Sequence, residues 1–441
     1  MTSRVDSGAQ NIELNLLRPD VRRGKVRPLA KGGDMDRSRS TRWRIAARAA
    51  ATAALVAGMG MAPGVANSAP APVSAVPVSA VTVDVGIYNV YLGANLRPLF
   101  GATSVPELID RAGAIYAEME RTDFPQRAEA IADLIAKERP DVLGLNEVAL
   151  WETAPWTFVQ TPAGPLPVAT GPYTTTYDFE QILLDALAAS GEPYTVVAKN
   201  TNFTSAAIPI AIPVSPTLAG RFTDHDLILV RTAALKHMSV SNSRSFNYST
   251  DSSFSINLLG TDVVVERGWS TVDITQRGRT FRFANTHFEA FGNTPLQDEW
   301  RNLQAAELVA DLENSPYPVV LVGDINSRPT LCQDFRQPPQ FEDQNVVAYG
   351  LLEDAGLREV WPLVHRKDPC GPAGWTSGQD NSLLAPSELD HRIDVVFLSE
   401  EFSALQAETI GEEERDRTEP SGFWPSDHAG SVAKIRLDAR T

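Results

Sequence analysis

Short apolar runs rich in β-branched residues recur along this chain, and each ends on or carries an Asn, Glu, Asp or His. The clearest is Pro318-Val319-Val320-Leu321-Val322-Gly323-Asp324-Ile325-Asn326-Ser327-Arg328-Pro329. The Val and Leu residues read as a buried strand, and Gly323 ends it. Asp324 and Asn326 are two positions apart, so they project from one side of the strand end. A carboxylate and an amide held together there could align a water and steady a developing negative charge. The same residues could instead form an Asx turn that caps a core strand.

The pattern repeats in order. Residues 83–90 alternate as a strand with Asn89 at its end. Residues 127–138 read as an amphipathic helix with Ala128, Ile131, Leu134 and Ile135 on one face. Residues 141–148 form the next strand and deliver Glu147. From 151 to about 222 the pattern loosens, with one helix at 179–189 and a strand at 194–198, and reads as an elaborated insertion, the kind of segment in which substrate choice resides. Strands resume at 224–231 with Asp226 and at 281–288 with His287. Helices are expected at 297–312 and 343–355. Residues 389–398 carry Asp394, and Ser426-Asp427-His428 precedes a last strand at 431–437.

If these strands share a sheet edge, one pocket gathers several acids, two amides and two histidines. Hard oxygen ligands suit Mg²⁺ or Mn²⁺, and a cluster without thiolates disfavours zinc. Histidines opposite carboxylates are candidate acids or bases. Two pairs are expected, Asp394 with His428 and Asp226 with His287; Asp390 is an alternative partner for the first, and a strand-end cap is the alternative for Asp226. His237, His365 and His391 read as solvated or structural. The tryptophans read as core, with Trp424 set apart because it adjoins Ser426-Asp427-His428.

Charge bears on the partner. Up to Ala66 there are 12 Lys/Arg and 5 Asp/Glu, a charge of +7, so with −16 overall the remainder carries −23. Such a body repels nucleic-acid phosphates on average unless cations intervene. Residues 1–66 read as an export signal with an extended basic n-region. Arg37, Arg39, Arg42, Arg44 and Arg48 precede an apolar run at 49–62, then Gly64-Val65-Ala66; Met35 is an internal candidate start. The run is too short and broken for a membrane span. Residues 67–81 are an Ala/Pro-rich linker. The two cysteines, Cys332 and Cys370, both lie in the exported part and read as a single disulfide.

The order Tyr88-Asn89, Asn146-Glu147, Thr286-His287, Gly323-Asp324-Ile325-Asn326, Arg392-Ile393-Asp394 and Ser426-Asp427-His428 resembles the motif series of the endonuclease/exonuclease/phosphatase superfamily. The match spans roughly residues 83–437. Departures are Asn146 where Gln is common, Phe288 where Leu is usual, and Asp224-His225-Asp226 where many members have Gly-Asn. The resemblance implies a four-layer α/β sandwich (DNase I-like), two packed β-sheets flanked by helices, within a catalytic domain at 82–441. It implies Glu147 as principal metal ligand with Asn89 and Asp427 close by. Asp324 would orient or deprotonate the attacking water, and Asn326 would hydrogen-bond phosphoryl oxygens. His428, paired with Asp394, would bind or protonate the phosphate group, and His287 would be the second phosphate-facing histidine and a candidate leaving-group acid. The implied activity is metal-dependent phosphodiester hydrolysis by a secreted enzyme. The substrate would be a phospholipid head group, as in sphingomyelinases, or alternatively DNA or RNA; a non-catalytic binding protein on the same scaffold is the third class. No obligate protein partner is implied, and a monomer is expected.

Overall fold

The computed structural model describes residues 80–439 apart from 162–163, 211–214, 216, 291–294 and 333–345. The export segment, nearly all of the linker and the start of the 343–355 helix lie outside the described residues. In chain order the strands are β1 (Val81–Asn89), β2 (Val142–Asn146), β3 (Leu150–Thr161), β4 (Gly164–Ala169), β5 (Thr174–Asp178), β6 (Tyr194–Thr204), β7 (Ile208–Pro209), β8 (Leu218–Arg231) and β9 (Met238–Asn247). They continue as β10 (Phe254–Leu258), β11 (Thr261–Val265), β12 (Gly268–Gln276), β13 (Arg279–His287), β14 (Val319–Asp324), β15 (Arg358–Glu359), β16 (Asp394–Leu398), β17 (Phe402–Ile410) and β18 (Gly430–Leu437). The helices are α1 (Arg97–Phe100), α2 (Val105–Arg121), α3 (Phe124–Glu138), α4 (Phe179–Ala189), α5 (Pro295–Leu312), α6 (Val347–Asp354) and α7 (Val360–Val364).

One ten-stranded sheet runs β17-β18-β1-β2-β8-β3-β4, with β5 on β3 and β6 and β7 on β8; a six-stranded sheet runs β15-β16-β14-β13-β12-β9. Strand periodicity builds the layers. In β14, Val320 and Val322 enter the core between the sheets, whereas Val319 and Leu321 enter the core under α5 and α6. In β8, Ile228 and Val230 face the other sheet, and Leu227 and Leu229 face the helices. Ile115, Ile131 and Leu183, from α2, α3 and α4, cover that outer face. A strand covered on both faces needs a continuous apolar run, which is the pattern seen in the sequence. Four layers result.

The 151–222 segment is part of the first sheet. Several of its Pro and Thr residues lie in strands, and Pro165 and Pro167 fall in β4 at the sheet edge, where a missing N–H removes no ladder bond. Strand β1 begins at Val81.

The topology places the functional residues. Parallel pairing sets Asn89 opposite Asn146 and His287 opposite Asp324. Antiparallel pairing sets Asp324 opposite Asp394, the first residue of β16. Strand β18 pairs Ser431 with Ile87, so Asp427 and His428 arrive at the same end. Carboxyl ends of parallel strands are where open crevices collect ligands in α/β sheets.

Candidate active site

The strand ends line a cavity of about 380 Å³. Its polar lining includes Glu147, Asp224, Arg267, His287, Asp324, Asn326, Asp427 and His428. Its apolar lining includes Leu96, Leu99, Phe100, Phe203, Phe222, Leu258, Val263 and Val265.

Hydrogen bonds from asparagine side chains join the sheets beside it. Asn146 Oδ1 accepts from Asp324 N at 3.0 Å, and Asn285 Nδ2 donates to Leu145 O at 3.0 Å. A side chain on Gly144 would meet Val322 and Asn285, and one on Gly323 would meet the Thr286 carbonyl, so both approaches require glycine.

Asp324 is the hub. Its Oδ1 accepts from Asn326 N at 3.0 Å, an Asx turn that holds Asn326 at φ 45°. Its Oδ2 accepts from Asn89 Nδ2 at 3.1 Å and lies 3.7 Å from His287 Nε2 and 3.8 Å from His428 Nδ1. The turn caps the strand and fixes the orientation of the carboxylate. Burial, with Asp394 beside it, raises the Asp324 carboxyl to about 6 against the pull of His428. Asn326 Nδ2 donates to Phe288 O at 3.0 Å.

Asp394 Oδ2 lies 2.8 Å from His428 Nδ1. Burial opposes the charged ring, yet Asp394 and Asp324 raise its pKa well above the ordinary value. Asp390 pairs with His391 instead. Ligand atoms of Asp324, Asp394 and His428 lie within 4.8 Å of one another, a spacing a metal ion can also use. The Asp394–His428 hydrogen bond accounts for that closeness, and it leaves the other ring nitrogen for the cavity.

The second expected pair is corrected. Asp226 Oδ1 is 3.9 Å from His287 Nδ1, too far for a hydrogen bond, and Arg267 Nη1 is closer at 3.1 Å. Asp226 accepts from Asn202 Nδ2 at 2.8 Å. Burial, followed by neighbouring Asp224, raises Asp226 to about 8. Burial, then Arg267 and His428, pushes His287 well below its ordinary value, the opposite of the expected cation.

Glu147 stands at φ 60°, with Oε2 accepting from Leu92 N at 2.9 Å and Oε1 from Asn89 Nδ2 at 3.3 Å. Cys332 and Cys370 are joined, with Cα atoms 5.4 Å apart. Trp424 is buried and donates to Ala385 O at 3.0 Å, a core role. His365 bonds Ala407 O at 2.8 Å, and His237 is exposed; neither belongs to the site.

A sequence model of the endonuclease/exonuclease/phosphatase family matches residues 87–428. The chain belongs to this family. Its members hydrolyse phosphoester bonds. A search of curated proteins returns no match. Among solved structures, the chain is similar to an endonuclease/exonuclease/phosphatase from Beutenbergia cavernae at 19% identity, covering 81% of this chain and 72% of that one with a TM-score of 0.47. It is similar to a Bacteroides thetaiotaomicron mannosyl-6-phosphatase at 16% identity (80% and 99% covered, TM-score 0.44). It is also similar to D. rerio TDP2 complexed with single strand DNA product at 14% identity (80% and 98% covered, TM-score 0.44).

The donor set in this family member fits a hard divalent cation. Glu147 and Asp427 offer carboxylate oxygens, as Mg²⁺ and Mn²⁺ prefer, while Asn89 Oδ1 accepts from Tyr91 N at 3.0 Å. Burial, with Glu147 and Asp324 nearby, raises Asp427 to about 7 against His428 and Arg127. That crowding of carboxylates is what a bound cation would relieve. The motif series carried no sign of Arg267, Asn202 or Asn285. Arg127 lay on the buried side of a helix read as amphipathic, where an arginine is unexpected; that anomaly was its only signal.

Proposed function

We propose that this chain is a secreted, divalent-metal-dependent phosphodiesterase that hydrolyses a phospholipid head-group phosphodiester with water. The observation that carries the reading is the mixed lining of the cavity, where acids and histidines share it with Leu96, Phe100, Phe203, Phe222, Leu258 and Val263. A phosphodiester bearing an apolar substituent matches both kinds of lining residue. A nucleic-acid track needs a series of cations. Among the described residues lining the cavity the only arginines or lysines are Arg97 and Arg267, and Arg267 is engaged with Asp224 at 3.2 Å.

A cation held by Glu147, Asn89 and Asp427 would neutralise charge developing on the phosphoryl oxygens. Asp324, raised toward neutrality, accepts the proton of the attacking water. The Asn326 amide and the cavity-facing nitrogens of His287 and His428 donate to the phosphoryl oxygens, and protonated His428 is placed to supply the leaving group's proton. Phosphoryl transfer depends chiefly on such positioning and charge neutralisation.

The test is parallel measurement of head-group release from sphingomyelin and phosphatidylcholine, and of DNA, RNA and inositol phosphate cleavage, each with Mg²⁺ or with a chelator. Chelator-sensitive head-group release is expected to exceed the rest. Faster cleavage of DNA or RNA would assign the chain as a nuclease, and no hydrolysis of any substrate would favour the binding-protein class.

A further inference from the structure

The His287 ring is fully buried. The charged groups facing it are Asp226 on β8, Arg267 just before β12, Asp324 on β14 and His428 before β18. Arg267 Nη1 stands 3.1 Å from His287 Nδ1. A guanidinium has only N–H donors and no acceptor. The ring nitrogen that meets it must therefore present a lone pair, and the neutral ring then carries its proton on Nε2. An imidazolium would set two donors against each other at this contact. His287 Nε2 has no hydrogen-bond partner among the described residues, and Asp324 Oδ2 is 3.7 Å away. Arg267 is itself anchored by Asp224 Oδ2 at 3.2 Å, and Asp224 accepts from Asn202 Nδ2 at 3.1 Å.

We propose that Arg267 is a positioning residue that locks His287 as the neutral Nε2–H tautomer, so that His287 offers a hydrogen bond to a phosphoryl oxygen and has no second proton to transfer. The two histidines are then opposite in kind. His428 is backed by a carboxylate and stays cationic, whereas His287 is backed by a guanidinium and stays neutral. The direction of the His287 pKa agrees with this arrangement. The inference rests on the phosphoester reading of the site for what His287 touches, but not for its protonation state.

The test is ¹⁵N NMR of the histidine rings in the intact protein, with His287 assigned by comparison with His287→Gln. The expected wild-type spectrum shows an Nε2-protonated neutral ring that does not titrate between about pH 5.5 and 8.5, a window spanning the ordinary histidine range. Arg267→Gln places a side chain that can accept as well as donate at the contact. His287 should then titrate within that window, and turnover should fall about tenfold or more with a new inflection in the pH–rate profile. Arg267→Lys, again a pure donor, should keep the ring neutral. A wild-type imidazolium or Nδ1–H tautomer near neutral pH would overturn the proposal, as would unchanged His287 titration in Arg267→Gln. If that variant does not fold, the wild-type spectrum decides alone. Because the spectrum requires no substrate, the expected spectrum from a protein inactive on phosphoesters would sink the functional reading and leave this one standing.

Discussion

Replacing Arg127 with Met removes a guanidinium that is wholly buried and serves four backbone carbonyls. Nε donates to Thr122 O at 2.9 Å, Nη1 to Val90 O at 2.8 Å and Pro425 O at 2.9 Å, and Nη2 to Tyr91 O at 3.1 Å. Val90 and Tyr91 follow Asn89, and Pro425 precedes Asp427 by two positions, so one side chain ties together the segments that carry two proposed metal ligands. Burial lowers its pKa to about 10, which leaves it cationic at neutral pH. Met retains much of the stem's apolar packing. The loss is therefore chiefly four hydrogen bonds from a charged donor, with the carbonyls left in a poorly solvated interior. At about 1 kcal/mol or more for each abandoned group, the total is roughly 4 kcal/mol, within the range seen when a buried charged network is broken. Urea denaturation measures it as a lowered midpoint at unchanged slope. Arg127→Lys keeps the charge but reaches fewer carbonyls, and about half the loss is expected. A change below about 1 kcal/mol in Arg127→Met would refute the reasoning, because the carbonyls would then have found other partners.

Glu147→Gln should leave the thermal midpoint close to wild type and lower metal-dependent turnover at least about a hundredfold, so near-normal activity at saturating Mg²⁺ counts against Glu147 as a ligand. In Asp394→Asn the loss of the carboxylate lowers the His428 pKa, which Asp394 and Asp324 raise. The limb of the pH–rate profile on which activity falls with rising pH should therefore move to lower pH by about one unit or more, and an unmoved limb removes the pair. Opening the Cys332–Cys370 bridge, which closes a loop of sequence separation 38, should cost about 4 kcal/mol by the loop-entropy relation. Denaturation of the Cys332→Ser/Cys370→Ser protein checks it, and a loss under about 1 kcal/mol would mean that the unfolded chain is little constrained by the bridge.

Much of the fold could be read locally. Runs such as 319–322 must be strands covered on both faces, because β-branched residues in continuous series have no solvated side. Helix α4 spans Phe179–Ala189, as its apolar spacing indicates, and Asp178 caps it by accepting from Gln181 N at 3.1 Å. The order of motifs carried the family, since each marks one strand end. The 151–222 segment was harder to read because edge pairing tolerates Pro and Thr, so the sequence lacks a clean alternation there.

What the sequence determined by itself was therefore the set of strand ends and the kinds of atom they carry. What only the tertiary structure decided was which of those atoms meet. Asp226 and His287 were paired by plausibility, but Arg267 reaches the ring first, from a segment just before β12 that the motif series does not include. Arg127, Asn146 and Asn285 act by bonding carbonyls or amides of other segments, separated by up to 298 positions in the chain. Hydrogen-bond partners fall off within a few tenths of an ångström, whereas local sequence fixes only spacing along one strand or helix. The protonation state of each histidine follows from which donor or acceptor stands at its second nitrogen, and that is settled by how the two sheets pack.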